Sequence, residues 1–344
     1  MAALVQSRLS RNDFDAALVP GFREATRSSY KELVGNAASD MSSVLTAEGR
    51  FLAAVESVRD CPLCGAPSAE ARLRFDKLGM RIMDCPRCGL VYSATVLEAG
   101  YDHQRYRAAK AQASFEALKR NEAYASLERI KSRYIVQRLA DIRHGATGRF
   151  LDVGPGAGRL LDAARNAGWN TFGVELSPEF ARVCREAGHH IVQGLFPDDL
   201  DASERFDAVS MLDVLEHLHH PVEAMAAARE SLGPGGVLVI QVPNVESLLI
   251  TIEGEASLNF CHGHWNHFSP TTLTRLAAAA GLVPLGVETI ISEIDRIQAF
   301  PAERVAAAAR AIGGTEPPPG FDAEWLHAHG MGYKVLGFFA RGNP

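Results

Sequence analysis

A glycine-rich turn between an apolar strand and a helix is the feature that most constrains this chain. Residues 149–159 read RFLDVGPGAGR, so a predicted strand runs directly into Gly154, Gly156 and Gly158. Glycine has no Cβ, which lets the backbone turn sharply and approach a ligand closely. Glu175 ends the next predicted strand, where a carboxylate can accept hydrogen bonds from both ribose hydroxyls. The pattern predicts a site for an adenosine-bearing cofactor in an α/β sheet.

The spacing of the glycines decides between two such cofactors. A dinucleotide fingerprint has its third glycine at the position that Arg159 occupies here. The observed order D-x-G-x-G-x-G resembles motif I of the class I S-adenosylmethionine (SAM) methyltransferases. Residues 206–221, FDAVSMLDVLEHLHHP, and 232–244, LGPGGVLVIQVPN, resemble later motifs of that superfamily. The resemblance covers residues 145–290 and implies SAM as the cofactor.

Strand and helix patterns alternate in the second half of the chain, which predicts a parallel, doubly wound α/β sheet. The expected strands are 149–153, 170–175, 189–193, 206–212, 236–242, 283–291 and 332–341. The resemblance implies a Rossmann-like seven-stranded methyltransferase sheet whose last strand inserts antiparallel.

These motifs assign ten residues to cofactor binding. They are Asp152, Gly154, Gly156, Gly158, Glu175, Leu176, Gly194, Leu195, Leu212 and Asp213. The helix that starts near Arg159 points its amides at the methionine carboxylate. Asp152 acts through water on the ammonium group or holds the loop. Many relatives meet the adenine amino group with an acidic residue, for which Asp198 and Asp199 come slightly late.

Four cysteines form two knuckles ahead of this domain. Cys61-Pro-Leu-Cys64-Gly and Cys85-Pro-Arg-Cys88-Gly are separated by twenty residues. Four thiolates in tetrahedral geometry describe a structural Zn²⁺ site that leaves no position open for substrate. A redox dithiol pair or an iron site is the alternative, although a redox pair is expected beside a βαβ unit. The cysteines predict a small zinc ribbon that the metal stabilises.

Histidines concentrate where the acceptor of the methyl group is expected. Methyl transfer from a sulfonium needs alignment and sometimes a base, and imidazole is the usual base near neutral pH. Glu216-His217 resembles a Glu-His pair of this branch of the superfamily, in which the pair often orders the cofactor loop instead. Residues 261–270, CHGHWNHFSP, resemble the approach to the penultimate helix.

His264 and His267 of that segment could both reach the acceptor. The candidate catalytic residues are therefore His217, His264, His267 and Glu216. A second metal site formed by His262, His264 and His267 is an alternative, which the lack of an accompanying carboxylate pattern weakens.

The charge of the chain bears on its partners. A net charge of −6 argues against a nucleic-acid backbone as the main partner. Residues 101–145 nevertheless hold ten Lys and Arg against five Asp and Glu. No segment approaches the ~20 apolar residues that span a bilayer, and the N-terminus does not resemble a signal peptide. We expect a cytoplasmic protein with no membrane contact.

Four parts follow from these patterns. They are a helical N-terminal arm (1–58), a zinc-binding module (59–100), a helical linker (101–145) and a SAM-dependent methyltransferase domain (146–344). The arm is predicted from apolar residues at helical spacing, among them Phe14, Leu18 and Phe22, and from a continuation over 44–58. It could pack on the rest of the chain or form a homodimer contact.

The combination of a four-cysteine module with this domain resembles sugar C-methyltransferases and related natural-product enzymes. In those enzymes the module helps to cover the substrate pocket, and a base deprotonates a sugar carbon beside a keto group. This sequence ends soon after the last predicted strand, without their long C-terminal domain, so both O- and C-methylation stay open. The alternatives are a zinc-containing rRNA methyltransferase, helped by the basic segment 101–145, and a non-catalytic SAM-binding scaffold.

Overall fold

The N-terminal region differs from the predicted helical arm. The computed structural model describes residues 8–15, 21–102, 110–313 and 315–342. One long helix, α1 (Phe22–Ser42), is followed by turns and by the short strand β1 (Glu56–Val58). The helical continuation predicted over 44–58 is wrong, because Val44 and Phe51 are buried in a cluster with Trp265 instead of on a helix face. Leu18 lies outside the described residues.

The cysteine region is a small antiparallel β structure. Its strands are β2 (Arg72–Lys77), β3 (Met80–Asp84), β4 (Val91–Ser93) and β5 (Thr95–Leu97). β1 pairs with β5, and β2, β3 and β4 form a sheet that a fourth strand, β11 (Asn266–His267), completes beside β4. β11 belongs to the histidine-rich loop, so this loop and the cysteine region share one sheet.

Two helices lead from the cysteine region into the main sheet. They are α2 (Lys110–Arg120) and α3 (Glu122–Ile142). Asn121 caps α3, because its side chain accepts hydrogen bonds from the backbone N–H groups of Ala123 and Tyr124. α2 packs on α1, and α3 packs on the first helix of the next domain.

The second half of the chain forms a seven-stranded mixed sheet, which confirms the predicted α/β class. Its strands are β6 (Arg149–Val153), β7 (Asn170–Glu175), β8 (His190–Gln193), β9 (Phe206–Leu212), β10 (Leu232–Pro243), β12 (Leu282–Ile290) and β13 (Lys334–Arg341). The order across the sheet is β8-β7-β6-β9-β10-β13-β12. β13 is antiparallel to both of its neighbours, while β8, β7, β6, β9 and β10 are parallel. The antiparallel insertion of the last strand is therefore as expected.

The central strands β6, β9 and β13 are largely buried on both faces, as is typical of strands between helical layers. The helices of the domain are α4 (Arg159–Asn166), α5 (Pro178–Glu186), α6 (Pro221–Ser231), α7 (Leu248–Glu253), α8 (Pro270–Ala279), α9 (Ile294–Gln298), α10 (Ala302–Gly313) and α11 (Ala323–Ala328). Leu151 and Val209 lie in the same core cluster as the cysteine region. Phe150 and Ala208, their neighbours in sequence, lie in the cluster that α3 and α4 cover. Within the described ranges, no helix is long and apolar enough to cross a bilayer.

Candidate active site

The glycine turn joins β6 to α4 at the carboxyl edge of the parallel strands. Gly154, Gly156 and Gly158 all have positive φ, at 71°, 53° and 76°, a conformation that other residues rarely adopt. A Cβ on Gly158 would lie 2.9 Å from the Cys184 sulfur. A Cβ on Gly156 would meet nothing within 4 Å. The turn therefore faces open space at Gly156, as a ligand-binding loop requires.

Glu175 ties this turn to the end of β7. Its two carboxylate oxygens accept hydrogen bonds from the backbone N–H of Gly156 at 3.0 Å and of Ser177 at 2.7 Å. Burial raises the pKa of Glu175, and the backbone hydrogen bonds oppose that shift. Each oxygen keeps a second lone pair. The residue is therefore held rigidly by the backbone and still able to accept from a ligand. Leu176 follows it and is half-buried.

Asp152 is buried at the end of β6, with 3% of its surface exposed. Its Oδ1 accepts a hydrogen bond from the Ser210 hydroxyl at 2.6 Å. Burial raises the pKa of Asp152 to about 7, with the charge of Glu175 adding to the shift. Two carboxylates thus lie close together beneath the turn, where a bound ammonium group would relieve their burial.

The loop after β8 folds onto itself at the expected adenine position. The backbone N–H of Leu195 donates to Asp199 Oδ2 at 2.7 Å. A Cβ on Gly194 would lie 2.2 Å from the same oxygen, so a side chain at this position would require Asp199 to move. Asp199, which comes late in sequence for an adenine contact, is thereby brought back beside Gly194 and Leu195.

Asp213 follows Leu212, the last residue of β9, and is held by residues distant in sequence. Its φ is 57°, and its carboxylate accepts from Lys334 Nζ at 2.8 Å and Gln241 Nε2 at 3.0 Å. Burial alone would raise the pKa of Asp213, but Lys334, Lys131 and Lys119 lower it below its usual range. The side chain is therefore ionised and fixed in place.

Glu216, His217 and His264 meet directly beyond Asp213. One carboxylate oxygen and one ring nitrogen from each histidine lie within 4.8 Å of one another, and the two imidazole rings are perpendicular with centroids 4.8 Å apart. Both Glu216 oxygens are buried without a hydrogen-bond partner among the described residues. Burial raises the pKa of Glu216 to about 8, with Asp213 adding to the shift and Lys334 opposing it. This spacing lets the three groups share a proton or a cation.

The two histidines of this cluster have defined orientations. Nδ1 of His217 lies 2.7 Å from the Gly263 carbonyl, and Nδ1 of His264 lies 2.9 Å from the Asn259 carbonyl. A carbonyl only accepts, so each Nδ1 carries the proton and the lone pair of the neutral ring is on Nε2. Burial lowers the pKa of His264 well below its usual value, which keeps that ring neutral at pH 7.

His267 lies apart from this cluster. It belongs to β11, is 2% exposed and packs against the ring of Phe260 at 4.7 Å. Burial, with Arg74 and Arg59, lowers the pKa of His267 to about 3. In the part of the chain that the structure describes, the metal-ligand clusters do not include a group of His262, His264 and His267. The three-histidine metal site weighed from the sequence is therefore wrong.

The four cysteines form one cluster. The Sγ atoms of Cys61 and Cys88 are 3.5 Å apart, as are those of Cys64 and Cys85, and all four lie within 4.8 Å of one another. Tetrahedral coordination with Zn–S bonds of about 2.3 Å places sulfurs about 3.8 Å apart, so the cluster fits zinc. Both knuckles have the same geometry, since the N–H of the glycine after each pair donates to the carbonyl of its first cysteine at 2.9 Å.

Two residues of this region were missed by sequence reasoning. Lys334 and Gln241 hold Asp213 in place, yet Lys334 is 121 residues away from it and Gln241 sits among buried apolar residues of β10. Lys334 lies outside the motifs named above, and Gln241 lies in the motif-like segment 232–244 but has no role assigned by it. A polar residue inside an otherwise apolar strand was the only signal for Gln241.

Comparison with known proteins places the chain in a family. A family model described as a methyltransferase domain matches residues 119–286. A ubiquinone biosynthesis O-methyltransferase of Idiomarina loihiensis is 30% identical over 172 residues, which cover 45% of this chain and 71% of that protein. A protein of the same description from Bordetella avium is 30% identical over 166 residues, 44% of this chain and 68% of that one. The chain belongs to the SAM-dependent methyltransferases.

Solved structures include similar methyltransferases as well. The CcbJ methyltransferase of Streptomyces caelestis covers 62% of this chain and 90% of its own, at 18% identity and a TM-score of 0.42. In the present chain, the glycine turn has positive φ angles and open space at Gly156, and Glu175 is held by backbone N–H groups. Both features fit a SAM site. The individual cofactor contacts stay predictions.

Proposed function

We propose that this methyltransferase transfers the methyl group of SAM to a hydroxyl of a small-molecule acceptor, with a sugar or a natural-product intermediate as the acceptor class. The observation that carries the proposal is the buried, unpartnered carboxylate of Glu216 beside His217 and His264. The relatives named as O-methyltransferases of ubiquinone biosynthesis support transfer to oxygen.

The cofactor would lie along the carboxyl ends of β7, β6 and β9. Glu175 would accept hydrogen bonds from the ribose, and the α4 N–H groups after the glycine turn would meet the methionine carboxylate. Gly194 and Leu195 would border the adenine. Asp152 would balance the charge of the ammonium group. Leu176, Leu212 and Asp213 would complete the walls of the cofactor site, with Asp213 on the side of the acceptor.

The acceptor hydroxyl must lose its proton as its oxygen bonds to the methyl carbon. SAM supplies a methyl group already activated on a sulfonium, so the protein contributes alignment and a base. Nε2 of His217 would take the proton, since its Nδ1 donates to Gly263. The charge of the resulting imidazolium would favour ionisation of Glu216, whose carboxylate would then stabilise the ring. The products are the methyl ether, S-adenosylhomocysteine and one proton.

The four cysteines would hold a structural Zn²⁺. Their spacing fits tetrahedral thiolate ligation, and a closed four-sulfur site leaves no coordination position for chemistry. The Zn²⁺ ion would stabilise the small β structure that shares a sheet with the histidine loop. Homodimerisation through the N-terminal helix and a cytoplasmic location stay predictions.

Turnover on a panel of acceptors tests the proposal. Purified protein is incubated with SAM and hydroxylated sugars, phenols, keto sugars or ribosomal RNA, and S-adenosylhomocysteine is quantified. We expect release with a hydroxylated small molecule, and a methyl ether in the product. Methylation confined to a carbon beside a ketone would contradict transfer to oxygen.

Two other outcomes would contradict the small-molecule assignment. Methylation of RNA alone, with binding that weakens steeply as salt rises, would support the rRNA alternative. SAM binding without turnover on any substrate of the panel would support the scaffold alternative. The variant His329→Ala, an exposed histidine outside the site, serves as the control for any histidine substitution.

A further inference from the structure

We propose that Arg59 is a positioning residue that couples the cysteine module to the turn bearing Glu216 and His217, a role that rests on the proposed function. Arg59 directly follows β1 and lies two residues before Cys61. Its side-chain hydrogen bonds join three separate segments of the chain.

The guanidinium of Arg59 spans all three segments. Nε donates to the Ser93 carbonyl at 3.0 Å, within the cysteine module. Nη1 donates to the His219 carbonyl at 3.0 Å, in the turn after β9. Nη2 donates to the Trp265 carbonyl at 2.7 Å and to Asn266 Oδ1 at 2.9 Å, in the histidine loop. All four acceptors are neutral oxygens, so the contacts are those of a structural clamp rather than of an ion pair.

Asn266 carries the connection onward to the catalytic turn. While its Oδ1 accepts from Arg59, its Nδ2 donates to the carbonyls of Leu215 at 3.0 Å and Leu218 at 2.7 Å. These carbonyls flank Glu216 and His217 on either side. The amide therefore fixes the backbone of the turn both before and after these two residues.

Trp265 adds a second connection. Its backbone N–H donates to the Glu216 carbonyl at 2.7 Å, and its carbonyl accepts from both Arg59 and the backbone N–H of Ser93, the latter at 2.8 Å. Its indole N–H donates to Asp102 at 2.8 Å. The side chain of Arg59 contacts the module, the turn and the loop directly.

The shape of the guanidinium explains why arginine stands here. Its five donors have a fixed planar arrangement, so one side chain can hold acceptors in several directions at once. A lysine offers a single rotating donor head and could satisfy only part of this set. Without the guanidinium, the acceptors that it holds would each lose a hydrogen-bond donor, which costs free energy at buried positions. The turn would then be held less firmly around the acceptor.

Arg59→Met tests the inference, with Arg72→Met as the matched control. Arg72 lies in the same module, but its side chain is 81% exposed and forms a surface ion pair with Asp84. We expect Arg59→Met to lower kcat by about tenfold or more, because small misplacements of reacting groups carry such costs, with SAM affinity and zinc content unchanged. Arg59→Lys should recover part of the loss, and Arg72→Met should behave as the wild type.

Amide hydrogen exchange gives a readout that needs no acceptor. Residues 214–220 and 261–267 should exchange faster in Arg59→Met than in Arg72→Met, while residues 149–158 stay unchanged. Equal exchange and equal kcat in the two variants would overturn the inference. If the wild type methylates no acceptor, the proposed function fails, and the exchange comparison still decides whether Arg59 holds the turn.

A second variant covers the case in which Arg59→Met does not fold or loses zinc. Asn266→Asp keeps the oxygen that accepts from Arg59 and removes the two donors to the Leu215 and Leu218 carbonyls. We expect a lower kcat and faster exchange over residues 214–220. Wild-type kcat and exchange in this variant would show that the clamp does not position the turn.

Discussion

The proposed cofactor edge of this site is the glycine turn with Glu175, and its proposed acceptor edge is the group of Asp213, Glu216, His217 and His264. The two edges are built in different ways. At the cofactor edge, Glu175 accepts from Gly156 and Ser177, residues within 19 positions of it in sequence. At the acceptor edge, Asp213 depends on Lys334, and His217 depends on Gly263. The first edge is a local motif, whereas the second is assembled by tertiary contacts. The two should therefore respond differently to mutation and to loss of metal.

Removal of zinc should separate the two edges most strongly. Metal binding in small zinc modules is worth about 10–16 kcal/mol and is coupled to their folding. Because β11 and Arg59 connect the module directly to the acceptor edge, chelation should abolish turnover and leave SAM binding in place. Zinc content, turnover and calorimetric SAM titration check this. Full activity after complete zinc loss would break the comparison.

Glu216→Gln should act on the acceptor edge only. The substitution keeps the size of the side chain but removes its ability to ionise beside His217, and proton-transfer groups of this kind contribute about 10²- to 10⁴-fold to rate. We expect kcat to fall within that range at unchanged SAM affinity, measured by steady-state kinetics. Exposed Glu303→Gln is the control. A variant with wild-type kcat would remove Glu216 from the mechanism.

Stability should depend on pH through Glu216 with a definite sign. Its pKa is about 8 in the folded protein against 4.5 in its ordinary state, so the folded state holds the proton more tightly. Stability from this group is fully present below about 4.5 and is lost as pH rises to about 8, by at most about 1.4 kcal/mol per pH unit. Urea unfolding of the wild type and Glu216→Gln from pH 5 to pH 8 should show a gap that widens in favour of the variant. A constant gap would contradict the burial argument.

Lys334→Met should weaken the acceptor edge by a smaller amount. It removes the cation that holds the half-buried carboxylate of Asp213, and a hydrogen bond to a charged group contributes about 1.5–3 kcal/mol. We expect a stability loss of about 2 kcal/mol in urea unfolding. Lys110→Met, which changes an exposed lysine, is the control variant. Equal stability of the two variants would argue that Gln241 alone fixes Asp213.

The same division explains what the sequence could predict. The predicted bounds of the strands 149–153, 170–175 and 206–212 agree with the structure, because hydrophobic periodicity and glycine spacing are local signals. The cysteine cluster could likewise be predicted, from the spacing of the two Cys-x-x-Cys pairs. The helix predicted over 44–58 was wrong, because those apolar residues pack against Trp265 of a distant loop, and no local pattern contains that information.

The acceptor edge was harder to predict for the same reason. Sequence reasoning selected Glu216, His217 and His264, which the structure brings together, and also His267, which it places in β11 against Phe260. His264 and His267 share one histidine-rich segment, and only the fold separates their roles. The supports of the turn, Lys334 and Arg59, carry no motif because their partners are backbone carbonyls or a single carboxylate in distant segments.

The most direct test of this account compares Glu175→Ala with His217→Ala in one experiment that measures SAM affinity and turnover. Glu175→Ala should weaken SAM binding by about 1–3 kcal/mol through lost hydrogen bonds to the ribose. His217→Ala should bind SAM as the wild type does and lose turnover at saturating SAM. SAM affinity that falls equally in both variants, or full turnover in His217→Ala, would contradict the account.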